Sequence, residues 1–290
     1  MKFNAKKIAI SSLASLICSF GAINAQQSEP RMAWGKNNPV GEARGIHPGR
    51  VAWAHAPGAA TWEKGDGRWY EERWNDQEAA DWLVENAITA LTGEKEPSKA
   101  WKALFADFNS RNGRGKHGYR KVEKIAIKAN MNNTFVYEDN EQLNASPHVT
   151  LALLRSLVNE GGVPQEAITL FDASRFMTNA LFKKCHDEFP DIIYMDNEGG
   201  EGRTKATYTE NAIPYSVDNG RLATGLANCV IDADYLINMC LLKGHGGQGV
   251  TLCAKNWYGA TNIDRNFRKN QHNNFNQDRG GKPRYMTFTD

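Results

Sequence analysis

The 290-residue chain lacks closely spaced cysteines, a surplus of positive charge that survives inspection, and any long apolar run beyond its first 25 residues. Each absence excludes a class. Cys18, Cys185, Cys229, Cys240 and Cys253 form no C-x-x-C pair and no zinc-finger spacing, so no iron–sulfur motif is present. No G-x-S-x-G, H-E-x-x-H or Gly-Lys-Ser/Thr occurs, which removes the nucleophile elbow, the zincin helix and the P-loop. What is present is globular: 41% apolar and 23% charged residues, with 26 Gly and 10 Pro, fit neither a disordered, a collagenous nor a coiled-coil chain.

The formal charge of +2 has a local origin. Lys2, Lys6 and Lys7 form a positive n-region, residues 8–22 are apolar, and Ile23-Asn24-Ala25 resembles a cleavage site, so residues 1–25 read as a secretory signal. An N-terminal core helix is the alternative. A lipoprotein anchor at Cys18 has no small residue directly before it. Without the signal, 35 Lys+Arg against 33 Asp+Glu becomes 32 against 33, a net of −1. A nucleic-acid partner calls for a positive excess, so a small-molecule ligand is expected instead. No transmembrane segment is expected after signal removal, and the location is read as periplasmic or extracellular.

Residues 26–75 read as an irregular lead-in, with a strand-like alternation at Arg50–His55 and a Trp-rich stretch containing Trp62, Trp69 and Trp74. Residues 76–290 read as an α/β domain. Apolar positions at 80, 83, 84, 87, 88 and 91 predict an amphipathic helix stopped by Gly93, and a second helix spans 98–108. The glycine-bearing stretch 111–117 reads as a mobile or ligand-facing loop. Strands at 124–129, 167–171 and 192–195 alternate with helices at 146–158 and 179–189. That order predicts βαβ units, hence a mainly parallel central sheet with helices on both faces. Residues 197–227 read as an excursion with edge strands near 213–217, and Cys229–Leu242 as one apolar segment. Apolar character returns only at the last residues, which suggests a fold truncated at its carboxyl end. Among apolar neighbours, the cysteines are read as buried packing groups in preference to disulfides.

Ligands of open parallel sheets bind outside the carboxyl ends of the strands, near a topological switch point. The predicted strands end in Lys128-Ala129-Asn130 (with Asn132 and Asn133 beyond), Asp172-Ala173-Ser174 and Asp196-Asn197-Glu198, and the later apolar segment runs out at Lys243 and His245. All are expected on one rim. Lys128 and Lys243 read as point charges for a phosphate, sulfate or carboxylate; the plainer alternative is a lysine reaching water. Asp172 reads as a group that orients a base or binds a cation, with helix capping as the alternative. His245 reads as a general acid/base or metal ligand, against a simple bond to a loop carbonyl. A divalent metal would draw on Asp172, Asp232 and Asp234, and its identity stays open. The loop 243–251 is expected to present backbone N–H groups at a following helix N-terminus. Gly244, Gly246 and Gly249 satisfy G-x-G-x-x-G, but Gly259 cuts that helix short, so a dinucleotide site is not adopted.

Taken in order, several segments resemble the family catalogued as domain of unknown function 362. They are Ile127-Lys128-Ala129-Asn130-Met131, Ser146-Pro147-His148-Val149, Gly161-Gly162-Val163-Pro164, Ile168–Ser174, Asp234–Asn238, Leu242–His245, and Gly249–Thr251 with Ala254-Lys255-Asn256-Trp257-Tyr258-Gly259. The resemblance covers about residues 120–260. It implies an α/β fold whose second half is missing here, and it adds Lys255 and Asn256 to the site. Some relatives attach a ferredoxin-like module, for which this chain has no cysteine run.

The reading preferred from the sequence is an exported enzyme acting on a small anionic or sugar-derived substrate. Catalysis is assigned to His245 and Asp172, and substrate binding to Lys128, Asn130, Ser174, Lys243, Lys255 and Asn256. The alternatives are a non-catalytic ligand- or glycan-binding protein using Trp62, Trp69 and Trp74 as a stacking platform, and a redox or metal module.

Overall fold

A computed structural model of the chain describes residues 41–133, 136–214, 223–245 and 249–262. Helix α1 (Gln77–Thr92) follows the predicted periodicity. Asp76 caps it by accepting from the Ala79 N–H at 3.1 Å, and Gly93 ends it in the left-handed region at φ 80°, where a Cβ would be penalised. Helix α2 (Pro97–Arg111) carries Pro97 in its first turn. Then come β1 (Ile125–Lys128), α3 (Pro147–Arg155), β2 (Ile168–Asp172), α4 (Asn179–His186) and β3 (Ile193–Asp196). Ser146 caps α3, which runs on into a π-turn at Ser156–Glu160. Beyond β3 lie β4 (Thr204–Lys205), β5 (Tyr208–Pro214), β6 (Ala223–Ala227), α5 (Asn228–Ile231), β7 (Tyr235–Asn238), β8 (Lys243–His245), β9 (Gly249–Thr251) and α6 (Cys253–Asn256).

Five strands form one sheet in the order β4-β3-β2-β1-β7, and every neighbouring pair is parallel. The α/β fold expected from the alternating strands and helices is therefore present. Period-2 alternation divides the core. Ile125, Ile127, Ile168 and Leu170 pack with Trp101 and Phe105 of α2, Leu151 and Leu154 of α3 and Leu181 of α4. Ala126 and Phe171 join Ala173, Ala206, Ala227 and Ala260 in a second cluster. Small residues on that side let the β5–β6 hairpin, α5 and the turn after α6 come close to the strands.

Three sequence expectations change. Arg50–His55 forms no strand: the alternation finds no sheet edge to pair with, and Val51 and Trp53 are 89% and 84% exposed. Of the edge strands expected near 213–217, Ile213 and Pro214 lie in β5, and 215–217 lie outside the described residues. Among the described residues of the excursion, Thr204–Lys205 joins the five-stranded sheet, while β5 and β6 pair with each other. The 111–117 stretch is tied down, since Arg114 bonds Asp234 Oδ1 at 2.6 Å and Glu123 Oε1 at 3.1 Å. Those acids precede β7 and β1, so the loop lies at the amino ends of the strands and faces no strand-end site.

Candidate functional site

The chain leaves β1 towards β2, while β7 lies against the other side of β1, which makes the β1/β7 boundary the switch point. Lys128, the last residue of β1, is in register with Phe171 of β2 and Asn238 of β7. Its side chain is fully buried, with Nζ 2.9 Å from Asp172 Oδ2 and 3.3 Å from Asn256 Oδ1, and it also donates to the Ala129 carbonyl. Burial pushes the Lys128 amine below its ordinary pKa, and the Asp172 carboxylate works against that shift.

Asp172 is held from its other sides. Oδ2 accepts from the Met131 N–H at 2.9 Å, and Oδ1 accepts from both the Ser174 N–H and the Ser174 hydroxyl at 3.0 Å. It caps no helix; α4 is capped by Thr178. Asn256 closes the group. Its Nδ2 donates to Lys128 O at 3.0 Å and to Asn238 Oδ1 at 2.8 Å, and its Oδ1 also accepts from Asn130 Nδ2 at 3.1 Å. Asn130 keeps a buried Oδ1 with no hydrogen-bond partner.

Gly259 roofs the ion pair. A Cβ there would lie 2.9 Å from Asp172 Oδ1, Lys128 Cε and Lys128 Nζ. Gly259→Ala is therefore expected to force the pair apart, at roughly the 1–3 kcal/mol of an overpacked core. Urea denaturation checks this; an unchanged midpoint would mean that the methyl group has room.

Outside the buried pair the site is cationic. Lys243 donates to Leu143 O at 3.1 Å and lies within electrostatic reach of Lys255, Arg175 and Asp172. Burial first, then the Lys255 charge, brings the Lys243 amine down to about 8. Burial and Arg175 lower Lys255 as well. Such crowding of like charges is unfavourable.

Of the residues chosen from the sequence, Lys128, Asn130, Asp172, Ser174 and Asn256 are linked directly, and Lys243 and Lys255 stand close by. His245 is the last residue of β8, opposite Gly249; its side chain lies outside the described residues. Gly246, Gly247 and Gln248 of the loop lie outside them too. The described parts of this segment do not make the expected helix-terminus anion site. Lys243–His245 and Gly249–Thr251 pair as a hairpin, and α6 is four residues long, too short to supply a row of free N–H groups. Asp196 is buried but accepts from the Met177, Glu198 and Gly199 N–H groups, which makes it a loop anchor. Asp234 is at the opposite rim, and among the described residues no three His, Cys, Asp or Glu side chains form a metal-ligating group.

The sequence reading missed Arg175, Asn238 and Gly259. Asn238 ends β7 and obeys the same strand-end rule. It was hidden because Cys229–Leu242 read as one segment, whereas it holds α5, β7 and a connection.

Cavities occur elsewhere. One of about 750 Å³ is lined by Glu72, Arg155, Lys184 and Glu188, but these charges already pair with one another or with nearby groups, Lys184 with Glu72 and Arg155 with Glu188 and Asp81. Another, of about 360 Å³, is lined by Trp62, Trp69, Asn75 and His148. Trp74 does not line it and carries the Arg73 guanidinium 4.8 Å from its ring. No helix among the described residues is long and apolar enough to cross a membrane.

A family model described as "Domain of unknown function (DUF362)" matches residues 125–285. No curated protein and no solved structure matches the chain.

Proposed function

Because the chain belongs to the family described as Domain of unknown function (DUF362), a description that assigns no chemistry, we propose a function from the site itself: an exported enzyme acting on a small anionic or sugar-derived substrate. The observation that carries this reading is the buried Lys128–Asp172 pair at the switch point, beneath Lys243, Lys255 and Arg175. The outer cations hold the substrate's phosphate, sulfate or carboxylate group as point charges or, for Arg175, as a fork. Asn256 and Ser174 fix the pair, so that Lys128 Nζ can hold or give up a proton at a defined place. His245, on the adjoining hairpin, is assigned the acid/base role.

The first test uses sulfate, which stays ionised across the useful pH range. Calorimetric titration is expected to show binding that weakens as pH rises through about 8, where Lys243 loses its charge. Replacing both lysines (Lys243→Gln with Lys255→Gln) should weaken it roughly 10–100-fold, the worth of one or two charge-assisted hydrogen bonds. No heat with sulfate, phosphate or a sugar phosphate would end the reading.

A second reading, non-catalytic sugar binding, has an observation of its own in the smaller cavity. Trp69 Nε1 and His148 Nδ1 are buried without partners, while His148 Nε2 lies 3.1 Å from Glu72 Oε2. With Nε2 donating to the carboxylate, Nδ1 is an acceptor, so two side chains that line the cavity carry one unpaired donor and one unpaired acceptor, the complement of a hydroxyl-bearing ring. Monosaccharide binding that survives the double lysine replacement would favour it.

A further inference from the structure

Cys240 and Cys253 contact each other, with their sulfurs 3.0 Å apart. A disulfide bond is about 2.05 Å long, so roughly 1 Å of side-chain movement separates this contact from a covalent link. Packing, the role expected for the cysteines from the sequence, suits Cys185, which is buried, but it does not describe this pair: Cys240 is half-buried and Cys253 exposed. The pair's position is also distinctive. Cys240 lies two residues past β7 and Cys253 opens α6, so the two flank the β8–β9 hairpin, whose outermost register pair is Lys243 with Thr251. The Cys253 carbonyl already accepts from Asn238 Nδ2 at 2.9 Å, and Asn238 in turn holds Asn256.

We infer that Cys240 and Cys253 are a disulfide-forming pair that staples the base of the hairpin and fixes Lys243, Lys255 and Asn256 against the end of β7. Oxidation requires a disulfide oxidant such as oxidised glutathione. The exposed Cys253 thiolate attacks one glutathione sulfur and releases the first glutathione thiolate. The Cys240 thiolate then attacks the Cys253 sulfur of the mixed disulfide and releases the second. Two protein thiols and one glutathione disulfide become one protein disulfide and two glutathione thiols, which carry away the two protons. Burial and the neighbouring Cys253 thiol raise the Cys240 thiol to about 11, so the exposed Cys253 attacks first, and Cys240 gives up its proton only for the second step, when Cys253 is already in the mixed disulfide. The bond itself is independent of the proposed activity; its effect on anion affinity rests on that reading.

The full chain is incubated with oxidised glutathione or with dithiothreitol, digested with trypsin without reduction, and examined by mass spectrometry. The oxidised sample is expected to contain residues 222–243 linked to residues 244–255. That link should persist in Cys229→Ser and vanish in Cys240→Ser and in Cys253→Ser. A missing link, or one that depends on Cys229, overturns the pairing. Limited proteolysis of the native forms reads the staple without any ligand: cleavage after Lys243 should be several-fold slower in the oxidised protein, and equal rates would show that the bond does not fix the hairpin. Sulfate affinity should be several-fold higher in the oxidised form. Equal affinities would remove the coupling, whereas absence of sulfate binding in both forms would fail the anion reading and leave the disulfide standing.

Discussion

Lys128→Met is expected to destabilise the folded chain by roughly 3–5 kcal/mol, the cost of leaving one partner of a buried ion pair uncompensated. Methionine fills most of the lysine's volume, so the loss reports charge more than packing. The Asp172 carboxylate would remain buried, 2% exposed, with three donors but no cation. Asp172→Asn should cost less, because the remaining partner has an escape: the Lys128 amine, already lowered by burial, drops further without its carboxylate and releases its proton. The sign follows from proton counting. Where the folded pKa lies below the unfolded value of 10.5, the unfolded chain binds more protons, so stability rises with pH across that window. The Asp172→Asn variant should therefore recover stability between neutral pH and about pH 10, and Lys128→Met should not. Combining the two replacements should cost less than their sum, since no unpaired charge remains. Urea unfolding of the four proteins measures the cycle; a Lys128→Met loss under about 1 kcal/mol would mean that the pair contributes nothing.

How far the site was legible follows from the same residues. Lysine closing the run Ile-Ala-Ile is conspicuous in sequence, and the strand-end rule placed Asp172 beside it correctly. The sequence did not disclose that Lys128 turns inward. An inward lysine needs a carboxylate within about 3 Å and room above it, and the room comes from Gly259, which is 131 residues away by number and meets the pair only after folding. The sheet was easier to read, because its strands are short apolar runs separated by capped helices, and each boundary carries its own chemistry: Ser146 before α3, Gly93 after α1. The pairing of Lys243–His245 with Gly249–Thr251 was not legible, because a glycine-rich segment suits a strand connection as readily as a helix entry and local sequence does not choose between them.

Arg203→Met carries the other large expectation, roughly 3–5 kcal/mol, and it separates two aspartates that the sequence makes look alike. Asp172 and Asp196 end adjacent strands and are register partners across the sheet. Both are buried, yet only Asp172 pairs with a lysine. Asp196 spends its oxygens on three backbone N–H groups, and burial raises its carboxyl above the usual range while those donors and the Arg203 charge oppose the rise. Arg203 is itself enclosed: its guanidinium lies 4.3 Å from the Tyr137 ring and 4.2 Å from the Phe182 ring, and it donates to Met177 O and Asn179 Oδ1 at 2.9 and 2.8 Å. Methionine would keep the ring contacts but take the donor from three acceptors, Met177 O, Asn179 Oδ1 and Glu201 O, and remove the charge that steadies Asp196. Arg203→Lys keeps the charge without the planar fork, so about half the loss is expected. Sulfate affinity in the surviving folded fraction should stay within about twofold of the parent, because this cluster braces the β3–β4 side of the sheet and not the switch point. If Arg203→Met unfolds at the parent's urea midpoint, or if it abolishes sulfate binding while the chain stays folded, the division of the rim into a binding side and a bracing side is wrong.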